Sequence, residues 1–382
     1  MVKYLGVFLD EALTWKHHVE QKCSKAVSGL AQLRRIAGKT WGSTPKVASW
    51  LYTAVTRPII SYAAIVWWPR VQLKTVQAQL NKVQRLACLY ITGCIRTTPT
   101  AALELLTGLV PLHLHVLSHA AAASCRLSAS GQWKDSRLGH RSIRYLLDDS
   151  SVRLFLPVDY RTVQYNFRNG FQVVKLVSSV GDDLLCVRTF FTDGSRQSGY
   201  TGAGIYCTQT DEGYSFSLGR FCTVFQAEVF AINACVSNLL LMQVVGYHIF
   251  IYSDSQAALK ALDSPTTRSI LVAETIDKLN SLAKSNTVTV GWTPGHSGVF
   301  GNEMADKLAK AGACHRFIGP EPVIHCSTSY IKSALKDWTI KRQHALWAAM
   351  PGCRQAKAAL PSSCRRLSTS LIRLPRRDLR DV

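Results

Sequence analysis

The first third of the chain carries apolar residues at the spacing of amphipathic helices. An alternating run from Lys3 to Asp10 predicts a short strand, and beyond it apolar residues recur every three or four positions. The helical blocks predicted from this recurrence are Trp15–Leu33, Thr44–Arg57, Leu73–Tyr90 and Thr100–Thr107. Residues 1–127 are therefore expected to form a mainly α-helical region.

Further along, strand patterns and helix patterns alternate. Five runs predict strands, and two of them end at Asp193 and Asp254. The other three strands are Tyr200–Cys207, Tyr214–Phe221 and Thr287–Trp292. The helices are Val224–Leu241, Ser255–Leu262, Thr267–Lys284 and one that begins near Asn302. This alternation predicts an α/β domain over residues 185–314.

The pattern weakens on both sides of this domain. Residues 128–184 contain scattered glycines and the acidic turn Asp148–Ser151, which predict a connector partly ordered around Val152–Val158. Residues 315–382 form a basic tail in which Tyr330–Trp347 predicts one helix. The end, Ser362–Val382, is rich in Arg with little pattern and is expected to be disordered.

Four acids of the α/β domain stand out, namely Asp193, Glu228, Asp254 and Asp306. Any one of them alone would usually be structural, for example as a helix cap at Asp254. Asp193 and Asp254, however, both follow predicted strands, and functional groups of open α/β sheets gather at the carboxyl ends of strands. Glu228 projects from a largely apolar helix surface. The combination favours a functional site.

Clustered carboxylates need a compensating charge. Two unit charges about 4 Å apart repel by roughly 4 kcal/mol at an effective dielectric of about 20. The neighbouring sequence offers no equivalent cluster of Lys or Arg. Hard divalent cations with oxygen ligands suit such a cluster, Mg²⁺ first among them, and Mn²⁺ can substitute. Two ions would suit an in-line phosphoryl transfer.

These motifs resemble a ribonuclease H domain of the retroelement type. The four acids fall in order on that family's metal-binding carboxylates, and Trp292–Gly298 resembles its mobile loop, whose His, here His296, assists product release. The positions that match substrate contacts are Gly194, Ser195, Ser255, Gln256 and Asn302. The resemblance implies a mixed five-stranded sheet flanked by helices, and two Mg²⁺ ions. No basic insertion follows Leu262, although cellular members often carry one there.

The N-terminal region resembles the thumb and connection of non-LTR retrotransposon reverse transcriptases. Tyr4–Asp10 resembles the palm-edge hairpin called the primer grip, and Tyr62–Pro69 and Thr98–Leu112 resemble the thumb and connection that follow it. The aromatic residues Trp67 and Trp68 could stack on nucleic-acid bases, but packing in a helical core is the favoured interpretation. The resemblance implies that the chain is the C-terminal part of a polyprotein.

The formal net charge of +21 and the pI near 9.7 indicate a polyanionic partner, here RNA–DNA hybrid and other nucleic acid. An anionic membrane is the alternative, but no lipidation motif or long basic amphipathic helix supports it. The twelve Cys are scattered without paired spacing, and no signal peptide is recognised. An intracellular location, nuclear or cytoplasmic, is therefore expected. The sequence does not indicate a protein partner.

Two functions remain open. The first is metal-dependent hydrolysis of the RNA strand of RNA–DNA hybrids, and the second is a catalytically inactive nucleic-acid-binding remnant of a transposable element. Polymerase activity is not expected, because the paired aspartates of the reverse-transcriptase palm would precede the strand at Lys3. The pairs Asp148-Asp149 and Asp182-Asp183 lie downstream of that strand and are interpreted as solvated turns.

Overall fold

The computed structural model describes residues 1–36, 38, 41–131, 143, 156–175, 186–362 and 364–380. Two compact units are present. The helical unit comprises Met1–Ser124, Asp135–Leu154 and Lys332–Val382, and the α/β unit comprises Cys125–Lys134 and Phe155–Ile331. Most of the predicted connector, with Asp148-Asp149 and Asp182-Asp183, lies outside the described residues.

The chain begins with a hairpin and a set of helices. The elements are β1 (Val2–Tyr4), β2 (Val7–Leu9), α1 (Lys16–Arg34), α2 (Pro45–Leu51), α3 (Arg57–Ser61), α4 (Ala64–Trp67), α5 (Lys74–Thr92), α6 (Thr100–Thr107) and α7 (Leu112–Ala129). A π-helical turn, Tyr52–Thr56, joins α2 to α3. Pro58 has no N–H to donate to the carbonyl four residues before it, and the wider turn accommodates this gap. Trp67 and Trp68 are each 1% exposed, which confirms that they pack in the core.

The α/β unit contains the remaining strands and four helices. They are β3 (Gln164–Tyr165), β4 (Gln172–Val174), β5 (Val187–Gln197), β6 (Tyr200–Cys207), β7 (Glu212–Gly219), α8 (Val224–Leu241), β8 (His248–Ser253), α9 (Gln256–Leu262), β9 (Thr266–Thr267), α10 (Ile270–Leu282), β10 (Thr287–Trp292) and α11 (Phe300–Cys314).

The main sheet is mixed and has six strands in the order β4-β10-β8-β5-β6-β7. The first four strands are parallel to one another, and β6 and β7 are antiparallel. The predicted α/β class and mixed sheet are confirmed, but the sheet has one strand more than the five expected. The additional strand, β4, lies in the predicted connector. It has three residues, too few to show an alternating pattern.

The two faces of the sheet carry different helices. Phe190 belongs to the large core with α8, α9 and α10, whereas the next residue, Phe191, packs with Ala305 of α11. Successive strand residues point to opposite faces, so α11 packs on the second face of the sheet. It packs directly on the backbone of β6, since a Cβ at Gly204 would lie 2.2 Å from the Ala305 carbonyl oxygen.

Helix α8 is long and apolar enough to cross a membrane, and within the described chain it is the only single helix that is. The bent pair α6 and α7 passes the same test. The apolar residues of α8 belong to the core of the α/β unit, which accounts for its composition.

The segments that precede and follow the α/β core in sequence, at Val158 and Cys326, pair with each other. Val158 forms a parallel bridge with Cys326. The Asp159 N–H donates to the Cys326 carbonyl, and the Cys326 N–H donates to the Pro157 carbonyl, each at 2.7 Å. The α/β unit is thus closed by residues that lie beyond the boundaries 185 and 314 expected from the sequence.

Asp159 also connects two helices. Its Oδ1 accepts hydrogen bonds from the Ile270 and Leu271 N–H groups at 2.7 and 3.1 Å, and therefore caps the N-terminus of α10. Its Oδ2 accepts from Ser269 Oγ at 2.7 Å and from Gln226 Nε2 of α8 at 3.4 Å. Asp159 is 8% exposed, so its side chain is buried.

The C-terminal tail is folded, and the expectation of one helix followed by a disordered end is wrong over residues 364–380. Three helices are present, α12 (Thr328–Ala349), α13 (Arg354–Ala359) and α14 (Arg365–Leu371). Leu371 and Leu379 are buried with α6 and Trp347. These leucines stand eight residues apart in an Arg-rich stretch, and that spacing is too sparse to show a periodic pattern.

Candidate active site

Asp193 and Asp254 are brought together by the parallel pairing of β5 and β8. Thr192 pairs with Ser253 at the end of this ladder, and each aspartate is the next residue. The two carboxylates therefore leave the sheet at the same edge, as predicted. However, β5 does not end at Asp193. It continues to Gln197, because its antiparallel partner β6 pairs with it along the whole extension.

Glu228 reaches the same edge from α8. Thr223 and Gln226 form a capping box that fixes the start of this helix. Gly194 lets the helix approach the strand, since a Cβ there would lie 2.6 Å from the Glu228 nitrogen. Ser253 Oγ donates to Glu228 Oε2 at 3.4 Å. Glu228 is 6% exposed.

Asp193, Glu228 and Asp254 form a three-carboxylate cluster. One ligand oxygen from each lies within 4.8 Å of the other two. Burial, followed by repulsion from Asp193 and Asp254, raises the pKa of Glu228 to about 9. Burial, followed by repulsion from Asp254, raises the pKa of Asp193 to about 7. A hydrogen bond from the Gly194 N–H opposes both shifts.

Asp306 lies beside this cluster on α11. Its charge and a hydrogen bond with it contribute to the raised pKa of Asp193, so the two carboxyl groups are neighbours. Its Oδ2 accepts from Lys310 Nζ at 2.5 Å, one helical turn later. The sequence analysis did not identify Lys310 or Ser253 as part of the site. The spacing of four residues between Asp306 and Lys310 on a helix was the available signal for the first.

The segment that carries His296 is fixed to Asp254 at its base. Trp292 Nε1 donates to the Asp254 carbonyl at 3.1 Å, and a Cβ at Gly295 would lie 2.6 Å from Asp254 Oδ2. His296 itself is exposed and has a positive φ of 52°. His296 follows Gly295 directly in the chain, and its exposed imidazole is accessible to a substrate or product.

The predicted substrate contacts are placed differently from one another. Gln256 is exposed and Ser195 is half-buried, so both are accessible. Ser255 caps α9, and its Oγ accepts from the Ala258 N–H at 3.3 Å. Asn302 is 3% exposed, and its Oδ1 has no hydrogen-bond partner in the described part of the chain.

The cluster fits a hard divalent cation. All its donors are carboxylate oxygens, the ligands that Mg²⁺ prefers. Its members repel one another, as the raised pKa values show, and a cation would relieve this repulsion.

Comparison with known families agrees with this geometry. Residues 187–314 match the family model described as RNase H. They form an RNase H domain. The match begins at the first residue of β5 and ends at the last residue of α11, so it includes all four acids.

Relatives of the RNase H domain occur in retrotransposons. The chain is 28% identical over 112 residues to a Pol polyprotein from the type-1 retrotransposable element R1 of Nasonia vitripennis, covering 29% of this chain and 33% of the relative. It is 28% identical over 112 residues to a 115 kDa protein of the element R1DM of Drosophila melanogaster, covering 29% and 11%. The chain spans a third or less of these relatives. The predicted relationship to retrotransposon polyproteins is confirmed.

Proposed function

We propose that the chain hydrolyses the RNA strand of RNA–DNA hybrids in a reaction that needs two Mg²⁺ ions. The observation that carries the proposal is the three-carboxylate cluster at the end of the β5–β8 ladder, with Asp306 beside it, in an RNase H domain. Asp193, Glu228, Asp254 and Asp306 would hold the ions. When bound, the ions would supply an activated water and stabilise charge on the phosphate.

The protein's own groups prepare this site. Gly194 allows Glu228 to stand against β5, and Ser253 orients the Glu228 carboxyl group. Lys310 neutralises Asp306 when no cation is present. His296 would donate or accept a proton or assist product release.

The charge distribution supports a division of roles along the chain. Residues 187–314 hold nine Lys or Arg and ten Asp or Glu, so the formal net charge of +21 lies outside the RNase H domain. Phosphate contacts dominate the affinity of proteins for nucleic acids. We therefore propose that the flanking regions supply most of the affinity for the hybrid, while the RNase H domain supplies the chemistry.

The test is a cleavage assay on a labelled RNA–DNA hybrid with the full chain. Cleavage is expected with Mg²⁺ or Mn²⁺, and none is expected in excess EDTA. Asp193→Asn should abolish cleavage without reducing hybrid binding, whereas the exposed Asp337→Asn should change neither. Cleavage by Asp193→Asn at the rate of the unchanged protein would show that the carboxylates are structural.

The alternative is a remnant that binds hybrid without cleaving it. The presence of all four acids argues against this, because lost activity would remove selection on them. The same assay separates the two functions: hybrid binding without cleavage at any Mg²⁺ or Mn²⁺ concentration would establish the remnant.

A further inference from the structure

A segment that precedes the RNase H domain in sequence is bound to its surface. Gln164 and Tyr165 of β3 pair antiparallel with Thr267 and Thr266 of β9, in the loop between α9 and α10. Further backbone bonds from Arg161 to Arg268 and from Asn166 to Pro265, each 2.8 Å, extend this pairing in both directions. We call residues 161–168 and 265–268 the aromatic ribbon.

The ribbon presents two aromatic rings to solvent. Tyr165 is 62% exposed and Phe167 is 87% exposed. Their ring planes differ by 5°, with the centroids 6.0 Å apart. Alternate residues of an extended chain point the same way, which accounts for the shared face. Two parallel rings held on a hydrogen-bonded ribbon form a preordered apolar surface.

Positive charge lies on the same ribbon as the rings. Arg268 is exposed and Arg161 is half-buried, and among the described residues neither forms an ion pair. Arg168, the residue after Phe167, is exposed and alternates to the opposite face. The acids on neighbouring elements are Asp263, Glu274 and Asp277, and Asp277 accepts a weak hydrogen bond from Gln164 Nε2 at 3.4 Å. Arginines free of ion pairs on the same ribbon as exposed rings match a ligand that has both phosphates and flat bases.

The ribbon lies one short helix away, along the chain, from the edge of the sheet that carries the carboxylate cluster. Helix α9 starts two residues after Asp254 and ends at Leu262, shortly before β9. A helix of seven residues is about 10 Å long, so α9 separates the carboxylate cluster from the ribbon by roughly that distance. A strand that passes Gln256 could therefore continue onto the ribbon.

We propose that Tyr165 and Phe167 bind the unpaired bases of a single-stranded extension of the hybrid, and that Arg161 and Arg268 contact its phosphates. The occupant is single-stranded because bases within a duplex have both faces covered by their neighbours and cannot stack on a side chain. This site lies outside the carboxylate cluster, and it rests on the proposed function only in taking a hybrid as the substrate.

The test measures binding by the full chain in EDTA, so that cleavage does not interfere. Two fluorescent hybrids are compared, one blunt and one with a short unpaired RNA tail. The double variant Tyr165→Ala/Phe167→Ala should bind the tailed hybrid at least about fivefold more weakly, because stacking contributes about 1–3 kcal/mol per base. Blunt-hybrid binding should not change. Tyr165→Phe keeps the ring and should bind like the unchanged protein.

A control and a charge variant sharpen the result. Tyr214→Ala removes a partly exposed ring from β7, at the opposite edge of the sheet from β4, and should have no effect. The loss in the double variant should be the same factor at every salt concentration, since stacking is not ionic. Arg268→Gln should instead reduce the slope of log affinity against log salt by about 0.7, the value for one phosphate contact on a single strand.

Unchanged binding of the tailed hybrid by the double variant would overturn the proposal and would favour a protein as the partner of the two rings. An equal loss on blunt and tailed hybrids would also overturn it. Failure of the proposed hydrolysis is separate, because a chain that binds tails through these rings but never cleaves would refute the catalytic function alone.

Discussion

Glu228→Gln should stabilise the protein and abolish cleavage. One oxygen of Glu228 lies within 4.8 Å of oxygens of Asp193 and Asp254. At that distance two unit charges repel by roughly 3 kcal/mol at an effective dielectric of about 20. Glu228 avoids this repulsion and the burial of a charge by taking up a proton, which costs free energy at neutral pH. Glutamine has nearly the same shape and carries no charge, so it avoids that cost.

The effect has a defined pH dependence. Burial and the two aspartates raise the pKa of Glu228 from 4.5 in the unfolded chain to about 9. Between these values the folded state keeps a proton that the unfolded chain releases, so the stability of the metal-free protein falls as pH rises. Each pH unit is worth about 1.4 kcal/mol, which gives about 3 kcal/mol at pH 7 and less than about 1 kcal/mol at pH 5. Glutamine does not titrate, so the Glu228→Gln variant does not lose this stability as the pH rises.

Hydrogen exchange of the β5 and β8 amides in EDTA measures the free energy of unfolding of the α/β unit without interference from the helical unit. The free energy of unfolding of Glu228→Gln should exceed that of the unchanged protein by about 3 kcal/mol at pH 7, and this difference should shrink toward pH 5. Glu274→Gln, an exposed change on α10, should shift stability by less than about 0.5 kcal/mol. A variant that is less stable at pH 7, or a gap that is independent of pH, would refute this reasoning.

Three other changes test the supporting structure. Gly194→Ala should lower the free energy of unfolding by about 1–3 kcal/mol through overpacking, and it should lower the cleavage rate about 100-fold for each ångström by which Glu228 moves. The control Gly29→Ala, whose Cβ meets nothing within 4 Å, should leave the cleavage rate unchanged. Asp159→Ala should cost about 2–4 kcal/mol in urea unfolding, from a lost helix cap and buried N–H groups, and a loss below about 0.5 kcal/mol would contradict its capping role. His296→Ala should slow repeated turnover more than single-turnover cleavage, and complete loss in both would place His296 in the chemical step.

The sequence was informative where chemistry coincides with long regular elements. Asp193 and Asp254 follow six-residue runs that pair in parallel, so their shared edge could be predicted. Glu228 could be assigned because an acid on a strongly apolar helix has few structural uses. The α/β class of the domain and its mixed sheet followed from the same long runs.

Short elements and single contacts were not predictable in this way. Strands β3 and β4 have two and three residues, and such lengths do not produce a recognisable alternation. The extension of β5 past Asp193 depends on pairing with β6 and not on its own residues. Asp159 stands in a weakly patterned stretch, and its role depends on Gln226 and the start of α10, which are distant in sequence.

The bridge between Val158 and Cys326 affects how negative results on shortened chains should be interpreted. A polypeptide trimmed to residues 187–314 would contain Asp193, Glu228, Asp254 and Asp306 and still lack both members of this bridge. The Ile270 and Leu271 N–H groups would lose their acceptor. Gln226, which stands two residues before Glu228 on α8, would lose its hydrogen bonds to Asp159 and to the His325 carbonyl. Inactivity of such a fragment would therefore be explained by the lost contacts of the helix that carries Glu228, and it would not show that the intact protein is inactive.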